Sequence, residues 1–223
     1  MTASCPSLCR FWVATIAVLS LLGAQNAAGA PGQSEDLEKT IARLVRNHEG
    51  KTCVAVRHLE NGVEFAYRAD EPMPTASLIK LPVMVEAYRQ AAAGQIDLTD
   101  LVELEEQDKV PGSGILTPHF SAGLKLPLRD AIRLMICHSD NTATNLVVDC
   151  VSLERVNATM EELGLPNTKI HSKVFRRDTS ILPERSRQFG LGSTTAGEMV
   201  RLLEQLHRRE LVSAEASDAM LEH

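Results

Sequence analysis

Residues 76–93 read Ala76-Ser-Leu-Ile-Lys-Leu-Pro-Val-Met-Val-Glu-Ala-Tyr-Arg-Gln-Ala-Ala-Ala93. Leu78, Leu81, Met84, Val85 and Tyr88 recur at three- and four-residue intervals, which predicts an amphipathic helix with those side chains inward. Pro82 has no N–H for the Leu78 carbonyl, so this helix is expected to bend early. Upstream, Thr52 to Leu59 and Val63 to Tyr67 alternate apolar and polar residues around Asn61-Gly62. That dipeptide takes the positive φ angles of a tight turn, so a β-hairpin is expected there. The hairpin leads through Pro72 and Pro74 into this helix, so strand and helix elements follow one another in a single unit.

Working outward, Ser34 is a candidate cap for a helix carrying Leu37, Ile41, Leu44 and Val45 and ending at Gly50. Asp97 to Glu106 and Pro111-Gly-Ser-Gly114 read as loop with short local structure, the latter shaping a cleft rim. Pro127 opens a buried helix through Ile132, Leu134, Met135 and Ile136. Ser139 or Asp140 starts the next, with Ala143, Leu146 and Val147 inward. Ser152 caps a third, with Leu153, Val156, Met160 and Leu163 inward and Gly164 as its stop. Together these make an all-helical middle. From Lys173 to Gly192 periodicity is lost and Arg176, Arg177, Asp178, Glu184, Arg185 and Arg187 cluster, the mark of a long charged functional loop. Thr195 to Glu198 reads as a capping box opening a helix with Met199, Leu202, Leu203 and Leu206, and a short helix is expected after Ser213.

Composition narrows the function. Arg10 is the only charged residue in the first 30, so 22 of the 23 basic residues face 29 acidic ones beyond it, a net charge of −7. Phosphate backbones are repelled by such a surface, and nucleic acid is not an expected partner. Arg10, the apolar run Phe11 to Leu22 and the small residues Gly23 to Ala30 read as an export signal with a cut at Ala27, Ala28 or Ala30. Residues 1–30 are therefore assigned as a signal peptide and 31–223 as one domain, exported to the periplasm or the medium, with no stable membrane insertion. Cys53, Cys137 and Cys150 remain. A Cys137–Cys150 bridge stays open, but their apolar surroundings favour buried free thiols. The histidines show no metal-ligand spacing, so no metal is expected. His138 reads as structural, and the Asn157-Ala-Thr159 sequon falls inside a predicted helix.

Ser77 and Lys80 stand three apart and share a helix face. An ammonium beside a serine hydroxyl lowers the cost of an alkoxide, and a desolvated lysine that loses its proton serves as the base itself. Alone, such a pair also fits a capping serine with a solvated lysine. Ser139-Asp140-Asn141 lies between two apolar helices, where polar side chains need partners or a task. Asp140 reads as the cap of the following helix, whereas Ser139 and Asn141 are candidates to face a cleft.

These two motifs at this separation resemble the penicillin-recognising serine hydrolases, most closely the class A β-lactamases. Asp100-Leu-Val-Glu-Leu104, the stretch Leu126 to Asn145, Leu163-Gly-Leu165 and Thr194 to Met199 look like family segments in the family order, so the resemblance covers residues 35–223. It implies an α/β fold of the β-lactamase/DD-peptidase type, an all-helical lobe beside an antiparallel sheet flanked by helices. Ser77 would attack a lactam carbonyl, Lys80 would help take its proton, Ser139 would pass a proton to the departing nitrogen, and Asn141 would bind the substrate side-chain amide. The Ser77 N–H would serve as an oxyanion donor. The implied substrate is a β-lactam or a cell-wall peptide, with no cofactor and a monomeric protein.

Two departures accompany the resemblance. The family's deacylating glutamate lies in an E-x-x-L-N segment, and between His171 and Thr195 the only acids are Asp178 and Glu184, neither in that pattern. They are the candidate deacylation acids; without one, the protein would be acylated and turnover would stall, as in a penicillin-binding or peptidase-like relative. The K-T-G strand is also missing, since no lysine follows Lys173, and Lys51-Thr52-Cys53 precedes the nucleophile. That strand supplies the second oxyanion donor, worth on the order of 2.7 to 4 kcal/mol. The sheet is accordingly expected to be incomplete, in a fragment of a longer reading frame. A non-catalytic fragment is the reading from another class.

Overall fold

The computed structural model of the protein describes residues 31–223, so the expected signal peptide lies outside the described residues. In chain order these residues form α1 (Pro31–Arg46), β1 (Val54–Arg57), β2 (Glu64–Tyr67) and β3 (Met73–Pro74). A 3-10 turn (Ala76–Ile79) then runs into α2 (Lys80–Ala92), followed by β4 (Leu101–Glu103), α3 (Leu116–His119), β5 (Lys125–Pro127) and α4 (Leu128–Cys137). The rest comprises α5 (Asn141–Val151), α6 (Leu153–Glu162), β6 (Lys169–Ile170), α7 (Pro183–Phe189), β7 (Gly192–Thr194), α8 (Ala196–His207) and α9 (Ala214–Leu221).

The hairpin forms at its expected place, antiparallel from Val54 opposite Tyr67 to Arg57 opposite Glu64. Gly62 takes φ +71° in its turn, and the Asn61 side chain accepts the Val63 N–H at 3.1 Å. Successive strand residues point to opposite faces. Val54 lines a hollow with Ile41, Leu44 and Val45 of α1, while Ala55 and Arg57 meet Val200, Leu203 and Glu204 of α8. The hairpin is thus held between two helices, and Arg57 of β1 is ion-paired to Glu204 of α8. Two further small antiparallel sheets, β3-β7-β6 and β4-β5, complete the strands among the described residues.

α2 is the central element, packed against α4, α5, α6 and α9. Most of its residues from Lys80 to Gln90 are buried, so it is covered all round rather than on one stripe. The carboxylate of Glu86 inside it is satisfied by Arg89 Nε at 3.0 Å, Gln90 Nε2 at 2.6 Å and Thr159 Oγ1 at 2.5 Å. Ahead of α2 the chain winds as the 3-10 turn, three residues per turn instead of 3.6, and this rotates the entry face. Leu78, expected inward, is 50% exposed, while Ile79 and Val83 take the core positions.

Local caps account for the helix starts. Asp140, Ser152, Thr195 and Ser213 accept the N–H groups of Ala143, Arg155, Glu198 and Ala216. The capping box at Thr195 is only half used, because the Glu198 carboxylate accepts instead from Asn167 and Thr168 and ties α8 to the start of β6. α1 begins three residues before Ser34, which places Ser34 within the first turn rather than at its cap. The stretch read as an irregular loop contains α7, opened by Pro183 at its first position. Cys53, Cys137 and Cys150 are free thiols, and Cys137 is exposed rather than buried. Asn157, inside α6, spends its amide on both backbone groups of Ile170. Among the described residues no helix is long and apolar enough to cross a membrane.

Candidate active site

Ser77 sits in the 3-10 turn ahead of α2, just after Ala76 with φ +44°. Lys80 opens α2 one turn below and is 3% exposed, while Ser77 is open to solvent. The turn between α4 and α5 brings Ser139 and Asn141 onto the same spot. Ser139 itself takes φ +50°, so both approaches to the cluster carry non-glycine residues in the left-handed region.

Four side chains converge. Lys80 Nζ donates to the Ser139 carbonyl at 2.6 Å, lies 2.9 Å from Ser139 Oγ and 3.0 Å from Asn141 Oδ1, and stands 3.5 Å from Ser77 Oγ. The Ser139 hydroxyl donates to Ser77 Oγ at 2.9 Å. The shorter connection between Ser77 and Lys80 therefore runs through the Ser139 hydroxyl rather than directly. Burial pushes the Lys80 amine down to about 8, against an opposing pull from the Asp140 carboxylate. A lysine so tuned gives up its proton near neutral pH and can act as a base.

The Pro111–Gly114 segment lies directly on the Ser139–Asn141 turn. Asn141 Nδ2 donates to the Pro111 carbonyl at 3.0 Å, the Asn141 N–H donates to the Ser113 carbonyl at 3.0 Å, and Ser113 Oγ donates to the Ser139 carbonyl at 2.8 Å. Asp140 locks the same segment from below: one carboxylate oxygen caps α5 through Ala143, and the other accepts from Ile115 at 2.7 Å and Leu116 at 2.9 Å. Asp140 is therefore structural, as its capping position suggests. Gly114, at φ +123°, leaves room for it, since a Cβ there would come within 2.7 Å of Asp140 Cα.

Not every candidate joins the cluster. Glu184 is 83% exposed at its side chain and ion-paired with Arg187, and Asp178 is 70% exposed and paired with Arg176 at 3.5 Å. His138, beside Ser139, is also exposed. Two site neighbours have no signal in local spacing. Asn145, one turn after Asn141 on α5, accepts the Val174 N–H at 2.8 Å and donates to the Val174 carbonyl at 3.1 Å. Ser113 is the other, visible beforehand only as part of a glycine-rich rim.

The family model of the β-lactamase enzyme family matches residues 36–223, the whole span that carries this cluster. The chain belongs to that family. Its β-lactamase relatives include CTX-M-8 of Citrobacter amalonaticus, 26% identical over 70% of this chain and 52% of the relative. Another is the β-lactamase of Rhodobacter capsulatus, 25% identical over 90% of this chain and 74% of the relative. The chain spans about half the length of curated relatives such as CTX-M-8 and OXY-2. Among solved structures, a β-lactamase from Sphaerobacter thermophilus is 34% identical with a TM-score of 0.71, covering 82% of this chain and 66% of that one. PBP-A, of which a mutant is solved as an acyl-enzyme complex with penicillin G, matches at a TM-score of 0.72 and 23% identity, over 84% of this chain and 67% of that one. The fold is that of the β-lactamases and penicillin-binding proteins.

Proposed function

We propose that the protein is a serine acyltransferring hydrolase that opens β-lactams through Ser77. The observation that carries this reading is the chain of contacts from Ser77 Oγ through Ser139 Oγ to the buried amine of Lys80, each 2.9 Å long. Neutral Lys80 takes the Ser77 proton by way of the Ser139 hydroxyl as Oγ bonds to the lactam carbonyl carbon. The tetrahedral oxyanion is met by the Ser77 N–H. As the C–N bond breaks, the lysine returns the proton through Ser139 to the departing nitrogen, leaving an ester on Ser77. Asn141, with its amide already oriented by Lys80 and Pro111, receives the side-chain amide of the substrate. No metal or organic cofactor enters this scheme.

Release of the ester is a separate matter. With Asp178 and Glu184 turned to solvent and held by arginines, neither carboxylate is aimed at an acyl group on Ser77. This favours slow deacylation, the behaviour of a penicillin-binding or peptidase-like protein, over rapid turnover. The leader at residues 1–30 adds export to the periplasm or medium, where β-lactams and cell-wall peptides are met.

Intact-protein mass spectrometry over time with benzylpenicillin tests the reading. A lasting adduct of one drug mass, absent from Ser77→Ala, is the expected result. A transient adduct with steady drug loss would transfer the protein to the efficient β-lactamases, and no adduct on the folded protein would refute Ser77 as nucleophile.

A further inference from the structure

Residues 173–176 form a tight turn in which the Arg176 N–H donates to the Lys173 carbonyl at 3.2 Å. Phe175 inside it takes φ +57°, a conformation that bulky side chains rarely adopt and that Asn or Gly takes at lower cost. The turn is held from several directions. Asn145 clamps both backbone groups of Val174, Thr179 Oγ1 accepts the Lys173 N–H at 2.9 Å, and Lys173 is ion-paired to Asp149. The product of this bracing is a phenyl ring 63% exposed to water. Folding alone gives no reason for it, because an exposed ring on a strained backbone forgoes hydrophobic burial and gains nothing in conformational energy.

The ring's place supplies a reason. A Cβ built on Gly112 would lie 2.7 Å from Asn141 Nδ2 and 3.3 Å from Phe175 Cε2, so the ring edge and the Asn141 amide meet over the same glycine. The other end of that amide accepts from Lys80. Beside the ring opens a hollow of about 220 Å3, lined by Val174, Phe175 and Leu191 among others. Phe175 thus stands as an apolar wall next to the group that receives the substrate's side-chain amide.

The geometry points to Phe175 as a specificity-determining residue that selects β-lactams carrying an aromatic ring on the acyl side chain over those with a small aliphatic one. This rests on the reading of Ser77 as the acylated serine. A phenyl group one carbon beyond the amide carbonyl would meet the edge of the Phe175 ring, and an aromatic pair there is worth about three- to tenfold in the acylation rate constant.

The experiment compares second-order acylation rate constants for benzylpenicillin and for its analogue with methyl in place of benzyl, followed by intact mass. Phe175→Asn keeps a residue that tolerates the positive φ and removes the ring; Phe175→Tyr keeps the ring. The wild-type protein is expected to prefer the benzyl compound. Phe175→Asn should lower that preference about three- to tenfold while the methyl compound reacts within about twofold of wild type, and Phe175→Tyr should retain it. An unchanged preference in Phe175→Asn, or an equal loss with both compounds, overturns the role of Phe175 while leaving Ser77 in place. A folded wild-type protein acylated by neither compound overturns the Ser77 reading, and this assignment with it.

Discussion

If neutral Lys80 is the base that starts acylation, the rate follows its ionisation. With the amine held near 8 by burial, the neutral fraction is about 1% at pH 6, about 10% at pH 7 and about half at pH 8. A solvated lysine near 10.5 would be roughly 300-fold poorer in neutral amine at pH 7, so burial is what makes the neutral form available there. The acylation rate constant should therefore climb about tenfold per pH unit below pH 7.5 and level off above pH 8.5. Time-resolved mass spectrometry of the adduct from pH 6 to 9.5, corrected for spontaneous drug hydrolysis, measures this directly. Lys80→Arg keeps the positive charge but cannot shed its proton, so it should abolish the adduct at every pH in the range. A profile flat from pH 6 to 9, a rise centred near pH 10, or an active arginine variant would each refute Lys80 as the base.

Other outcomes follow from the supports of the cluster. Asp140→Ala strands the N–H groups of Ile115, Leu116 and Ala143 in a buried setting, and urea titration should show a loss of about 3 to 5 kcal/mol; a loss under about 1 would mean that water replaces the carboxylate. Gly114→Ala combines an unfavourable φ with overlap on Asp140, so it should both lower stability by about 2 kcal/mol or more and slow acylation, whereas a neutral result would show that the rim can shift freely. His171 is buried between the Gly190 carbonyl at 2.9 Å and Ser193 Oγ at 3.1 Å, and desolvation, with Arg185 nearby, lowers its pKa below the unfolded value. The unfolded chain then binds the extra proton first, so stability is lost as pH falls through and below about 6.5. Urea midpoints at pH 7.5 and pH 5 should differ more for wild type than for His171→Gln, and equal differences would exclude this histidine as the cause.

What could be read from the residue order and what could not divide along the range of the interactions. The hairpin was legible because Asn61-Gly62 and a two-residue alternation act within a few positions, and the starts of α5, α6, α8 and α9 were legible because a cap reaches only three residues ahead. Leu78 was misplaced because periodicity assumes 3.6 residues per turn, whereas Ala76–Ile79 winds as a 3-10 turn of 3.0. The contact between Ser139 and Ser77 bridges 62 positions, and no local pattern encodes it; only the resemblance of both motifs to one family joined them. Asn145 shows the limit most plainly. On a helix wheel it is a polar residue on a buried face, one turn from Asn141, and nothing in its neighbours distinguishes a misfit from a clamp. Its partner is the backbone of Val174, which carries no signal in residue identity at all. A buried asparagine on a core-facing helix is therefore best treated as a pointer to an unseen backbone segment, and here that segment is the turn that sets Phe175 beside Asn141.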